Sequence, residues 1–342
     1  MKLPHGKIPV EILRDIVFRN LGVKRKEVIL GPSVGFDGAI LDIGDKSLIV
    51  SIDPITGAVE RIGWLAVNIN ANDVATFGVK PEFLFSCILL PEGADRETVE
   101  TICAQMDKAA RELEIAIAGG HCEVTPGIKN PIVVGCIMGL TEKGNYVTAG
   151  GAKPGDKLIL TKSAGIEGTA ILASDRESQL RKAVDSSTLK RAKEFFNKIS
   201  VVKEAIIAFN TGGVNAMHDP TEGGLAGGIH EIADASNLGV KVYEEKIPVA
   251  KETLEICNFF EIDPLQLISS GALLIVSEPG STEKILQKLR KHGIKARVIG
   301  EFLDSPSKRV LIRKDEKEIN IVRPESDHLW KALTKINNNS FT

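Results

Sequence analysis

Aromatic residues are scarce in this chain, 5% of 342 residues with only two Trp and two Tyr, so its core must be aliphatic. Cysteine is limited to Cys87, Cys103, Cys122, Cys136 and Cys257. Their number is odd and no two stand as CxxC, which argues against a disulfide scaffold or structural zinc site and for a reducing cytoplasm. An excess of one charge is missing: 43 Lys and Arg face 45 Asp and Glu, for a net charge of −2. A dedicated nucleic-acid binder needs surplus cations against phosphate, so that class is set aside. Long apolar runs are missing too. LIVSIDPI is interrupted by Asp53, PIVVGCIMGL is ten residues long, and the opening MKLPHGKIPVEILRDIVF has charges every few residues and no signal-peptide core. Neither a membrane protein nor a secreted one is expected. The Walker A pattern, the GxGxxG fingerprint and the kinase HRD and DFG set are also absent. Any nucleotide must lie in a different cradle.

What is present suffices for one large or two medium domains, with 43% hydrophobic residues. Apolar spacing predicts helices over 8–22, 61–77 and 96–114, and strands over 38–43, 47–52, 83–90, 115–120 and 130–143. IGDK reads as the turn of a hairpin, and the AGGHCEVTPG stretch as a loop after a strand. The Gly- and Pro-rich segment from Thr148 to Asp156 is the strongest punctuation, so domains are expected over 1–150 and 151–342. In the second half, helices are expected at 168–174, 187–209, 222–236 and 281–292. Strands are expected at 157–162, 240–243, 271–277, 295–300 and 309–313. Alternating elements with hairpin signals favour an α+β or mixed α/β fold over a strictly parallel doubly wound sheet. The polar tail KINNNSFT is expected to fray.

Three acidic residues sit where strands end or helices turn: Asp37 in GPSVGFDGAIL, Asp53 in IVSIDPITG and Asp73 in NINANDVATFG. Beside Gly or Pro, a lone Asp is commonly a turn former. Asp73 is different, because Asn and Asp disfavour helix interiors and a buried carboxylate needs a cation or donors. Converging, the three would offer the hard oxygens that Mg²⁺ prefers. In AGGHCEVTPG, glycines permit close approach to a phosphate, and His121 offers metal binding or proton transfer. The same His can merely satisfy a loop, and Cys122 reads better as a small packed hydrophobe. In MHDPTEGGLAGGIHEIA, Asp219 or Thr221 can cap a helix whose Gly223 and Gly224 expose backbone N–H groups to an anion. Two weaker Gly-rich turns are KSAGIEG, residues 162–168, and Ser269-Ser270-Gly271.

In this order, these motifs resemble one superfamily, the PurM-like proteins that include aminoimidazole ribonucleotide (AIR) synthetase, selenophosphate synthetase, thiamine-monophosphate kinase and HypE. The match runs over about residues 30–280, and GWLAVNINANDVATFGVKPEFL looks closest to HypE-like proteins. The resemblance implies a two-domain PurM-like fold, a homodimer paired through the first domains' sheets, and ATP with Mg²⁺ in a groove between domains. Carried over by motif, Asp37, Asp53 and Asp73 look like metal ligands. Asn72, Gly119, Gly120, His121, Asp219, Thr221, Gly223, Gly224 and the N-terminal Lys7 look like nucleotide contacts. Asp37, Asp73 and His121 are the candidate catalytic residues. The implied activity is phosphoryl transfer that activates an oxygen of an unnamed acceptor. Alternatives are a small-molecule kinase resembling thiamine-monophosphate kinase, and an inactive nucleotide-binding partner protein. Two departures stand out: no cysteine follows Cys257, where HypE carries a reactive one in its tail, and His121 stands where relatives have Glu or Asp. Reaction on its own tail is therefore not expected.

Overall fold

The computed structural model describes residue 3 and residues 6–56 and 60–335. The first half builds a six-stranded sheet from β1 (Val28–Leu30), β2 (Ala39–Ile43), β3 (Lys46–Ile55), β4 (Phe83–Leu90), β5 (Ala116–Val124) and β6 (Ile132–Glu142). Its order is β1-β2-β3-β6-β4-β5, antiparallel except for the β4–β5 pair. The expected β2–β3 hairpin is present, closed by Gly44 and Asp45, with Gly44 at φ +71°. Side chains alternate along each strand. One face of the sheet is covered by α2 (Ile62–Ala75) and α3 (Arg96–Leu113), with Ile49, Leu84, Val133 and Ile137 fully buried beneath them.

The second half builds a seven-stranded sheet from β7 (Lys157–Thr161), β8 (Val214–His218), β9 (Gly239–Tyr243), β10 (Leu274–Ser277), β11 (Ala296–Leu303), β12 (Arg309–Ile312) and β13 (Glu318–Asn320). Its order is β13-β12-β9-β11-β7-β10-β8. Around it lie α4 (Ile166–Asp175), α5 (Glu177–Leu180), α6 (Ser186–Lys193), α7 (Val202–Thr211), α8 (Gly224–Ala235), α9 (Lys251–Phe260), α10 (Thr282–Lys291) and α11 (His328–Thr334). Among the described residues no helix is long and apolar enough to cross a membrane.

Three expectations are corrected. The 8–22 helix shrinks to α1 (Val10–Asp15) and a 3₁₀ turn at Val17–Arg19, none of whose residues is buried. Its apolar spacing finds no core to face. The AGGHCEVTPG loop is instead the body of β5, held in parallel register with β4 as far as Leu90↔Val124. The single 187–209 helix breaks into α6, a 3₁₀ turn at Glu194–Lys198, and α7.

That break has a physical cause, because side chains recruit its backbone. Trp64 Nε1 donates to the Phe196 carbonyl at 2.8 Å. Asn72 Nδ2 donates to Ile199 O at 2.9 Å, and Val201 N–H donates to Asn72 Oδ1 at 2.8 Å. From β7's end, Lys162 Nζ donates to Lys198 O and Ser200 O and pairs with Glu204 at 2.6 Å. Helix α2 is therefore buried all round, between its own sheet and this strap of the second half. The tail beyond residue 335, expected to fray, lies outside the described residues.

Candidate functional site

The site forms where the start of β2, the middle of β3 and α2 meet β8 and the N-terminal end of α8. Ser51 and Asp53 are two apart on β3, so both point to the α2 side of the sheet. Ser51 Oγ lies 2.7 Å from Asp73 Oδ2 and 2.6 Å from the Asp37 carbonyl. One hydroxyl hydrogen cannot serve both acceptors. With Asp73 protonated, its O–H donates to Ser51 and Ser51 donates to Asp37. That agrees with the Asp73 carboxyl being held well above its usual range, by burial and then by the neighbouring carboxyls of Asp53, Asp219 and Asp37. The Asp53 backbone is fixed by Asn70, which accepts from its N–H at 2.9 Å and donates to its carbonyl.

From the second half, His218 is buried and bonded at both nitrogens, Nδ1 to Asp37 at 2.8 Å and Nε2 to Glu231 at 2.7 Å. Two carboxylate partners require two ring protons. Burial opposes that charge, but Asp37 and Glu231 outweigh it and raise the imidazole pKa well above normal. Ligand atoms of Asp37, His218 and Asp219 lie within 4.8 Å of one another. A doubly protonated imidazole has no lone pair for a metal, so His218 orients Asp37 rather than ligating. Asp219 is fully buried, and neither of its carboxylate oxygens has a hydrogen-bond partner. Burial, then Asp37, pushes its pKa up to about 8, while burial pushes Asp53 up to about 6.

Lys7 reaches this cluster from the N-terminal segment. Its Nζ lies 3.5 Å from Glu231 and 3.4 Å from Thr221 Oγ1. Glu231, then Asp37, Asp53 and Glu222, hold its ammonium charged. Among the described residues, the carboxyls of Asp37, Asp53, Asp73, Asp219, Glu222 and Glu231 thus share Lys7 and His218 as cations. A surplus of buried oxygen acceptors, two of them orphaned, is the donor set of a hard divalent cation. The residues present fit a hard divalent cation such as Mg²⁺, which Asp37 and Asp219 would hold, with Asp53 and Asp73 near enough to act on their charge.

The remaining sequence candidates divide. Thr221 lies at the cluster through Lys7. Gly223 and Gly224 form the turn that opens α8, at φ +88° and +62°. A Cβ on Gly224 would meet the Leu267 carbonyl at 2.5 Å. Neither Asp219 nor Thr221 caps α8; Gly223 is the N-cap, and its N–H donates to Asp327 at 2.6 Å. Asn72 is a bridge between the halves, with its amide committed to Ile199 and Val201. Gly119, Gly120 and His121 are not brought to the cluster. In register, Asp53 faces Gly135, Gly135 faces Ser86 and Ser86 faces Gly120. That is three strand spacings, about 14 Å. His121 shares the outward face with Cys87, opposite to Asp53, and is exposed beside Glu123 at 3.0 Å. Glu222 and Glu231 escaped sequence reasoning. Glu231, four residues before α8's end in IHEIA, reads as an ordinary helical charge until the His218 contact is seen.

Cation affinity should depend on pH in a defined direction. Carboxyls with raised pKa hold protons that a metal must displace. Mg²⁺ affinity, measured by calorimetry, is expected to rise from pH 6 to pH 8. The slope approaches roughly tenfold per unit while one proton is displaced.

The two sheets with their helices, joined through a buried α2, make this a two-domain PurM-like fold. A family model described as "AIR synthase related protein, N-terminal domain" matches residues 35–141, and its C-terminal counterpart matches residues 153–313. The chain belongs to this AIR synthase related family. A Methanocaldococcus jannaschii protein named for hydrogenase expression and formation is 32% identical over 305 residues, 86% of this chain and 88% of its own. The carbamoyl dehydratase HypE of Cupriavidus necator is 30% identical over 247 residues, 71% of this chain and 68% of its own. A crystal structure of the hydrogenase maturation protein HypE in complex with ATP superposes with a TM-score of 0.72. It is 25% identical and covers 96% of this chain and 98% of that one.

Proposed function

We propose that the chain is an ATP- and Mg²⁺-dependent enzyme that activates an acceptor oxygen by phosphoryl transfer, in hydrogenase or metallocofactor maturation. The observation that carries this reading is Asp219: a buried carboxylate with two unpartnered oxygens, beside Asp37 and within the field of Asp53 and Asp73. Such a group is costly to bury unless a cation is its partner. The hydrogenase-maturation context comes from the HypE relatives, one of which is named a carbamoyl dehydratase. Bound there, the metal would neutralise charge on the phosphates. The chain's own residues orient the ligands, through Ser51, Asn70 and His218, and supply the positive charge of Lys7, whose side chain is 57% exposed. The test is calorimetric titration of ATP with and without Mg²⁺, followed by a metabolite screen for stimulated phosphate release. Binding that ignores Mg²⁺ would sink the reading.

The same proposal includes a homodimer in the cytoplasm. Among the described residues no helix covers the outward face of the first sheet, which presents Ile52, Phe83, Phe85 and Leu140, each 39–63% exposed. Contiguous apolar area of this kind marks an interface. The occupant that fits is a second copy, sheet against sheet. His121, on that face, would then meet the partner rather than its own chain's carboxylates. Phe85→Glu is expected to yield a monomer by light scattering; an unchanged mass would exclude this face.

A further inference from the structure

Residue Glu222 belongs to a motif singled out in the sequence, yet the metal site leaves it without a task. Its carboxylate holds two segments from opposite ends of the chain. Oε2 accepts from the backbone N–H of Lys7 at 2.9 Å, and Oε1 accepts from Trp330 Nε1 of α11 at 2.7 Å. Gly6 packs directly on this junction. It has φ +93°, and a Cβ there would lie 2.0 Å from Glu222 Oε1 and 3.1 Å from Trp330 Nε1. Only glycine fits. The turn that carries Glu222 is itself fixed from α11's start, where Asp327 accepts from the N–H groups of Gly223, Ile268 and Leu329. The halves are joined rigidly by Trp64, Asn72 and Lys162. The short segment around Lys7 is held at the site through Glu222, Thr221 and Glu231.

We propose that Glu222 is a positioning residue: it latches the N-terminal strap across the site, sets Lys7 over the metal–nucleotide position, and ties that placement to the C-terminal helix through Trp330. This deepens the nucleotide reading and rests on it. A carboxylate with two separate acceptor oxygens is what two donors from different segments require. A glutamine offers one acceptor oxygen and one amide donor, so it can keep only one of the two bonds. The strap then opens and the ammonium of Lys7 loses its fixed place.

The first measurement needs no nucleotide. Hydrogen exchange of the Lys7 amide reports the latch directly, since that N–H is the donor. Glu222→Gln, Gly6→Ala and Trp330→Phe are expected to speed it by about tenfold. The second is a double-mutant cycle on the KM for ATP with Mg²⁺. Glu222→Gln and Lys7→Met are each expected to raise KM by about tenfold, with kcat changed less. The double variant should be no worse than Lys7→Met alone. Additive losses, or unchanged exchange at Lys7 in both Glu222→Gln and Gly6→Ala, overturn the proposal. Absence of any ATP binding by the wild-type chain would instead refute the nucleotide reading, and the exchange result would still decide the latch.

Discussion

Replacing Asp73 by Asn is expected to abolish metal-dependent nucleotide turnover while making the protein more stable. The two effects have one cause. Asp73 is buried, and its carboxyl is held well above its usual range by burial and by Asp53, Asp219 and Asp37. An acid whose folded pKa is raised costs stability above its unfolded pKa, because the unfolded chain ionises there and the folded one resists. At neutral pH that penalty is present; it vanishes below about pH 4, where both states are protonated. Asparagine removes the titration and keeps a donor, its amide N–H, for Ser51 Oγ, while Ser51 goes on donating to the Asp37 carbonyl. The melting temperature should rise by about 2–4 °C for each kcal/mol recovered. Activity should fall on the order of 100-fold or more, since loss of even an outer-shell partner costs up to that much. Asp37→Asn should match it in activity. Turnover preserved in both variants would refute the cation site, whatever the melting curves show.

The second large effect is on stability alone. Asn72 was carried over from motif resemblance as a nucleotide contact, yet its amide is spent on Ile199 and Val201. Asn72→Ala leaves one carbonyl and one N–H buried without partners, at about 1–3 kcal/mol each. Unfolding by urea is expected to show a loss of roughly 2–5 kcal/mol, with the midpoint moved and the slope nearly unchanged. Asn72→Asp should be similarly harmful, because a carboxylate can accept from Val201 but repels the Ile199 carbonyl. A midpoint within experimental error of wild type would show that this bridge does not hold the halves together.

These two residues also show what the sequence could reveal. Consecutive polar residues in an apolar stretch, NAND, marked a helix whose polar groups must find partners. Burial of α2 on every side follows, and Asp73 and Asn72 both turn out to be engaged. Which partner each finds is a matter of tertiary contact. Asp73 meets Ser51 from β3, 22 positions away, and Asn72 meets a strap more than 120 positions away. Asp37, Asp53 and Asp73 stood out because each broke a local pattern, though Asp53 lies inside β3 and Asp73 inside α2 rather than at element ends. Glu231 was not, because nothing local distinguishes it from any other charge on an amphipathic helix. His121 illustrates the opposite failure. Gly-Gly-His after an apolar run looks like a loop, but parallel pairing with β4 draws the stretch into an edge strand. Pairing between distant segments overrides local propensity here.

The tether between Trp64, Asn72, Lys162 and residues 196–201 bears on how such chains can be cut and recombined. Two matched regions with a Gly-rich connector between them look like interchangeable modules. They are not. Severing them at the connector would strip α2 of one wall, expose a face with no polar side, and strand the indole N–H and carboxamide that now reach across. Swapping one portion between relatives should therefore work only when α2 and its receiving strap travel together.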